Sequence, residues 1–378
     1  MKTDKTLWAT PREFLASRQP DTPVAFFCPK ALHGIAKDFA CGFPGLVSYA
    51  VKANADTAVI TNLNAAGVQA FDVASPVEID LLRSAAPKAA LHYNNPVRSR
   101  AEIAHAVAVG VRSYCVDSFG ELAKLVTTLP SGCEICVRLK LPVKGAAYDF
   151  GEKFGADAAK ATELLKHVKA AGFETSMTFH PGTQCFDPQA WVSYIVACAA
   201  VACNAGVRLQ RLNVGGGFPA HRSGNTPELA GIFAAIKAAT FANFGPNPPE
   251  LLCEPGRALV TGAFSFASRI KAINDDGAVY LNDGIYGGLT EFRDLDTNHS
   301  FTCLSPTGQH RSGNLIPREA FGPTCDSLDK LPDPLSLPED TAEEDYILFS
   351  NMGAYVNGTC TRFNGYGDIL TVTVNSLE

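Results

Sequence analysis

Along residues 45–260, short apolar runs rich in β-branched side chains alternate with alanine-rich stretches whose apolar positions recur at helical spacing. The runs that read as strands are 46–51, 69–73, 90–93, 113–116, 134–139, 174–179, 211–214 and 251–253. Those that read as helices are 55–66, 77–86, 99–109, 119–127, 156–171, 190–205 and 227–241. Strand and helix in alternation predict a parallel sheet, because parallel neighbours need a crossover. About eight such units, with polar or glycine-rich strand ends, suit a closed (β/α)8 barrel better than an open doubly wound sheet. After Arg257 the texture changes. Prolines and glycines crowd 306–338, two-residue alternation appears in 263–270 and 346–349, and long alanine-rich helices stop. A C-terminal all-β domain is expected there, joined by the N-terminal residues through a strand at 24–27. The expected division is a barrel over 30–260 and a β domain formed by 1–29 and 261–378. The segment 330–344, acidic and rich in proline, reads as a surface loop.

Charge and cysteine usage narrow the partners. The 378 residues carry 32 basic and 38 acidic side chains, a net charge of −6, which argues against a broad nucleic-acid footprint and suits a small or cationic ligand. No apolar run approaches the roughly 18 residues of a membrane span. Twelve cysteines behind an opening Met1-Lys2-Thr3-Asp4 fit reduced, mostly buried thiols of a cytoplasmic protein. Cys133 and Cys136 have the spacing of a redox or zinc pair, but they lie within a strand pattern and lack a second pair. The histidines show no ligand spacing, so no metal is expected.

In a barrel the chemistry gathers just past the C-terminal ends of the strands. The first end gives Ser48-Tyr49-Ala50-Val51-Lys52-Ala53-Asn54, with a lysine closing an apolar strand. Burial there lowers the pKa of an amine and makes it a nucleophile, unless the lysine has simply reached solvent. The sixth end gives Phe179-His180-Pro181-Gly182-Thr183, an imidazole and a hydroxyl beside a glycine, where a structural histidine is the plainer reading. The seventh gives Gly215-Gly216-Gly217, which is either a phosphate cradle or a glycine turn. The eighth gives Glu254-Pro255-Gly256-Arg257, a carboxylate at the barrel mouth followed by a guanidinium suited to phosphate oxygens. A nucleophilic amine, a flat ring, a phosphate cradle, a carboxylate and an arginine together describe pyridoxal phosphate. Beyond the barrel, Gly322-Pro323-Thr324-Cys325-Asp326 sets a thiol beside a carboxylate, and Gly353-Ala354-Tyr355 precedes Phe363-Asn364-Gly365.

Taken in order, the motifs are Tyr49-Ala50-Val51-Lys52-Ala53-Asn54, Phe71-Asp72-Val73-Ala74-Ser75, Lys153-Phe154-Gly155, Phe179-His180-Pro181-Gly182-Thr183, Gly215-Gly216-Gly217-Phe218-Pro219, Glu254-Pro255-Gly256-Arg257, Asn282-Asp283-Gly284-Ile285-Tyr286-Gly287 and Gly322-Pro323-Thr324-Cys325-Asp326. In this order the chain resembles the fold-type III pyridoxal-phosphate decarboxylases, the ornithine and diaminopimelate decarboxylase group, from about Tyr49 to Gly365. The resemblance implies an alanine-racemase-type TIM barrel plus a β domain. It implies that Lys52 carries the cofactor, that His180 stacks on its ring and that Glu254 pairs with the ring nitrogen. Arg257, Gly215, Gly216, Gly217, Thr183 and Tyr355 would hold the phosphate, with Asp72 and Arg138 as ring-side support. Cys325 would return a proton to the substrate's α-carbon, and Asp326, with Tyr286, Phe363 and Asp294, would meet the substrate. In this family Cys325 and Asp326 would come from the partner subunit, so a homodimer with shared sites is implied.

The expected reaction is decarboxylation of a basic L-amino acid, L-ornithine to putrescine, and the ornithine type is favoured by the Cys325-Asp326 element and Phe363-Asn364-Gly365. Lysine, arginine or a D-diamino acid are the alternatives on the same scaffold. A racemase or an inactive regulatory homologue are more distant ones. The family's second acidic residue falls, without a gap, on Leu295, between Asp294 and Asp296. Pro181 and Thr183 stand where valine and serine are commoner.

Overall fold

The computed structural model describes residues 2–142, 153–221, 227–295 and 300–378. Eight parallel strands close on themselves: β1 (Leu46–Ala50), β2 (Ala70–Val73), β3 (Ala90–Tyr93), β4 (Ser113–Val116), β5 (Glu134–Arg138), β6 (Glu174–Thr178), β7 (Arg211–Asn213) and β8 (Glu250–Cys253). Each pairs with the next, and β8 returns to β1 through Leu252↔Leu46 and Cys253↔Val47. Six crossover helices start where the chain supplies a cap, whereas Leu229–Phe244, between β7 and β8, has no side-chain cap. Asp56, Ser75, Ser99, Ser118, Asp157 and Asp187 each accept a backbone N–H of the helix that follows, satisfying a donor the first turn leaves open. Ser99 and Glu102 complete a reciprocal capping box.

Helices near the N-terminus escaped the pattern, Pro11–Arg18 in the β domain and Pro29–Gly42 before the barrel. Pro29–Gly42 precedes the first barrel strand and buries only Leu32, Ala36 and Phe39, a narrow stripe diluted by two glycines. Phe39 sits edge-on to Phe218 and Phe233, with ring centroids 5.4 Å and 5.1 Å apart, which locks this helix against the end of the barrel sequence.

Toward the N-terminal ends of the strands the barrel interior holds a polar layer. Ser48 Oγ contacts His92 Nδ1 at 3.0 Å, and Arg211 Nη1 reaches His92 Nε2 at 3.3 Å and Glu134 Oε2 at 2.9 Å. Ser176 Oγ donates to Glu134 Oε1 at 2.5 Å. Every buried polar group in this layer has a partner, which low dielectric demands. Burial pushes His92 down to about 4, so its imidazole is neutral.

From Arg257 the chain passes through two short helical turns into the strand Phe264–Ile273, the centre of a mixed sheet. Val24–Phe27 and Tyr346–Ser350 flank it, and Lys2–Trp8 and Leu370–Val374 pair in parallel at one edge. Residues 330–344 are not wholly a loop. Leu335–Pro338 pairs antiparallel with Leu315–Arg318, and Leu335 and Leu337 are buried, an alternation hidden among prolines. Among the described residues, no helix is long and apolar enough to cross a membrane and no cluster of side chains has the makings of a metal site.

Candidate active site

The end of β1 is built around Lys52. Tyr49, fully buried, donates its hydroxyl to the carbonyl of Asn54 at 2.9 Å, which curls Val51–Ala53 into a single 3-10 turn. Val51 and Ala53 point into the core, so Lys52 between them is turned out of it. Asn54 Nδ2 donates to the Gly353 carbonyl at 2.9 Å, and the Tyr355 amide donates to the Ala53 carbonyl at 2.7 Å. These bonds bring a β-domain loop onto the barrel mouth. Tyr355 takes a left-handed backbone, φ 63°, which a bulky side chain adopts only when its surroundings impose it.

Lys52, Asp72, His180 and Glu254 are shared by two lobes of one pocket. The larger, about 320 Å³, is also lined by Asn94, Arg138, Phe154 and Thr178. The smaller, about 40 Å³, is lined by Thr183, Gly217, Gly256, Arg257 and Tyr355. A further cavity of about 360 Å³ between Phe39, Phe233 and Pro219 is mostly apolar and holds no lysine, so the chemistry does not lie there.

The electrostatics correct one expectation. Lys52 is surrounded by protein yet faces the open pocket, and burial does pull its pKa down. The Tyr355 phenol and the carboxyls of Asp72 and Glu254 outweigh that pull, so the net shift is upward and the free amine is a cation. Asp72 and Glu254 are both raised, first by burial and then, for Asp72, by Glu254 itself. Glu254 Oε1 accepts from the side-chain amides of Asn94 and Asn213. Asp72 Oδ1 is buried with no hydrogen bond among the described residues. His180 is pushed well down by burial and by the charges of Lys52 and Arg138, which leaves a neutral flat ring. Its Nδ1 accepts the Gly182 amide at 3.1 Å.

The glycine run is also read differently. A Cβ on Gly215 would lie 2.1 Å from the Phe179 carbonyl oxygen, on Gly216 2.6 Å from that of Glu254, and on Gly217 2.2 Å from that of Gly182. Close packing of the loops after β6, β7 and β8 therefore requires all three, whatever ligand binds. The Gly215 amide is taken by Asn213 Oδ1 at 2.9 Å, so it is not a bare donor as expected. Gln184 ties the same loops together, donating to the Ala220 carbonyl and accepting the Ala220 amide.

Arg257 is buried beneath the Tyr355 ring, its guanidinium carbon 5.0 Å from the ring centroid. It is paired through Nη1 with Glu291, a partner the sequence did not suggest, while its Nε makes no hydrogen bond among the described residues. Arg138 lines the larger lobe directly, over the Phe154 ring at 5.3 Å.

Cys325, Asp326, Tyr286 and Phe363 come together elsewhere. Tyr286 donates its hydroxyl to Asp326 Oδ2 at 2.6 Å, and its ring lies 5.4 Å from that of Phe363. The exposed Cys325 donates its thiol to Asn364 Oδ1 at 3.1 Å. Hydrogen bonds from the Leu328 amide and Tyr286 hold the Asp326 carboxyl below the usual range. None of these four lines the Lys52 pocket of its own chain. Leu295 is buried, and the Asp294 side chain and Asp296 lie outside the described residues.

The organiser of this cluster went unnoticed in the sequence. Asp329, 1% exposed, accepts the Ile285 amide at 3.0 Å and the Thr324 amide and hydroxyl at 3.1 and 2.7 Å. It thus fastens the loop of Cys325 to the loop of Tyr286. Asn94, Asn213 and Glu291 were missed too. The signal of the two asparagines was position alone, since Asn94 directly follows a strand and Asn213 ends one, each at the barrel mouth, whereas Glu291 lies in the short helix Thr290–Asp294 beyond the barrel.

Residues 30–261 match the family model of the pyridoxal-dependent decarboxylase pyridoxal-binding domain. The chain is 30% identical over 352 residues to ornithine decarboxylase of Caenorhabditis elegans, covering 87% of this chain and 82% of that one. It is 32% identical over 350 residues to decarboxylase flvG of Aspergillus flavus, covering 84% and 77%. The solved lysine/ornithine decarboxylase of Vibrio vulnificus complexed with putrescine has a TM-score of 0.82 at 26% identity, covering 98% of this chain and 99% of that one. With its barrel, its Lys52 pocket and these relatives, the chain belongs to the pyridoxal-dependent decarboxylases and is a carboxy-lyase that works through pyridoxal phosphate.

Proposed function

We propose that this protein decarboxylates L-ornithine to putrescine as a homodimer whose active sites are shared between subunits. The observation that carries it is the second cluster, an ionised Asp326 beside an exposed Cys325, held by Asp329 and Asn364 but lining no part of its own chain's Lys52 pocket. A carboxylate for a distal ammonium and a thiol for a carbon are useful only if a partner's pocket lies opposite them.

The pocket's own groups fit pyridoxal phosphate. Arg257 Nε is a buried donor without a hydrogen bond, and Asp72 Oδ1 is a buried acceptor without one among the described residues. Lys52 would anchor the aldehyde, the neutral His180 would lie against the ring, and Glu254 would meet the ring nitrogen. Arg257, Thr183, Gly217 and Tyr355, which line the smaller lobe, would hold the phosphate together with Gly216. Bound there, the cofactor supplies the electron sink for the pair left when carbon dioxide departs. Cys325 Sγ would deliver a proton to the α-carbon, and Asp326 would grip the substrate's distal ammonium by a charge-assisted hydrogen bond.

Release of carbon dioxide from L-ornithine, L-lysine, L-arginine and D-ornithine, each as sole substrate, tests the reading. Turnover is expected to be fastest with L-ornithine. Faster turnover of L-lysine, the second reading favoured by the likeness to the Vibrio vulnificus lysine/ornithine enzyme, would replace it.

A further inference from the structure

Glu254 is held in an unusual way. Asn94, directly after β3, and Asn213, at the end of β7, approach it from separate strands, and both donate to the same oxygen, Oε1. Oε2 accepts no hydrogen bond from the described residues, although Glu254 lines both lobes of the pocket. Both asparagines are buried. The orientation of Asn213 is not arbitrary. Its Oδ1 accepts the Gly215 amide at 2.9 Å, which forces its Nδ2 toward Glu254.

We propose that Asn94 and Asn213 are positioning residues that clamp Glu254 by one oxygen and thereby present the other to the cofactor's ring nitrogen. The proposal rests on Glu254 being the partner of that nitrogen, the reading given above.

Two physical consequences support the clamp. Asp72 and Glu254 face one pocket, and two neighbouring buried carboxyls do not both ionise freely. Glu254 has two N–H donors and Asp72 Oδ1 has none, so the negative charge settles on Glu254. A carboxylate that keeps its charge can hold a proton on a ring nitrogen, whereas a neutral acid cannot. The clamp also fixes the side chain's torsions in advance, so binding does not have to order them. Gly215 belongs to the same device. Its amide links the glycine loop to Glu254 through Asn213, so the loop expected to face the phosphate also sets the orientation of the ring's partner.

The test uses the full-length apoprotein titrated with pyridoxal phosphate and with its analogue carrying C–H in place of the ring nitrogen. The ratio of the two dissociation constants isolates the contact at the nitrogen, while cavity or folding defects affect both ligands alike. The wild type is expected to prefer pyridoxal phosphate, and Glu254→Ala to lose that preference. Asn94→Ala should cut it roughly tenfold, the effect of a hydrogen bond to a charged group, with affinity for the analogue unchanged. Asn94→Ser is the variant to use if Asn94→Ala does not fold. A wild-type ratio retained in Asn94→Ala or Asn94→Ser, with Glu254→Ala still losing it, overturns the clamp alone. No preference in the wild type overturns the role of Glu254 and the clamp with it.

Discussion

Single side chains with several bonds decide the geometry of both halves of this site. Asp329 is the clearest case, because one buried carboxylate satisfies two backbone amides and a hydroxyl from two loops. Asp329→Ala strands all three donors and should destabilise the protein by about 3 kcal/mol, read by denaturant unfolding. It should also lower turnover while leaving pyridoxal phosphate affinity intact, since Asp329 does not line the Lys52 pocket. Residues of this kind were hard to see in the sequence. Lys52 stood out because it closes an apolar strand, and His180, Glu254 and Arg257 because polar or aromatic groups near a glycine at a strand end are incongruous. Asn94, Asn213 and Asp329 look like ordinary turn residues there, and only their partners, 160, 41 and 44 residues away in the chain, give them a function.

Among the elements, the barrel strands were legible because their apolar runs are short, repeated and bounded by helices with clear caps. The helix Pro29–Gly42 and the strand Leu335–Pro338 were not, because one buries a narrow stripe and the other hides its alternation among prolines. The polar layer across β1, β3, β5, β6 and β7 makes a pH-dependent contribution. His92 is held at about 4, below the ordinary value of 6.5, so the folded form resists protonation that the unfolded chain accepts. The stability this neutral imidazole supports is present above pH 6.5 and is lost as pH falls through 6.5 toward 4. Unfolding free energies measured across that window should fall for the wild type, and His92→Gln should flatten the fall by about 1 kcal/mol or more. An unchanged slope in His92→Gln would assign the acid sensitivity to other groups.

For the molecule as a whole, the central question is where the second half of the site comes from. If sites are shared, Lys52→Ala and Cys325→Ala impair different halves of each one. Mixing the two inactive variants after subunit exchange should then restore about a quarter of wild-type activity, because half the dimers are mixed and each of those has one intact site. Mixtures no more active than their components would place both halves within one chain.

By itself the sequence determined the alternation of strand and helix, the change of texture after Arg257 and the incongruous residues at the strand ends. These are local properties, carried by period, capping and residue type within a few positions. Tertiary structure alone decided the rest: that Lys52 is a cation, that three glycines are required by carbonyls of neighbouring loops, that Arg257 pairs with Glu291, and that Cys325 and Asp326 stand apart from the pocket of their own chain. Each of these depends on groups brought together from distant parts of the chain. Charge, clash and distance between such groups exist only once the barrel has closed and the β domain has docked on its mouth.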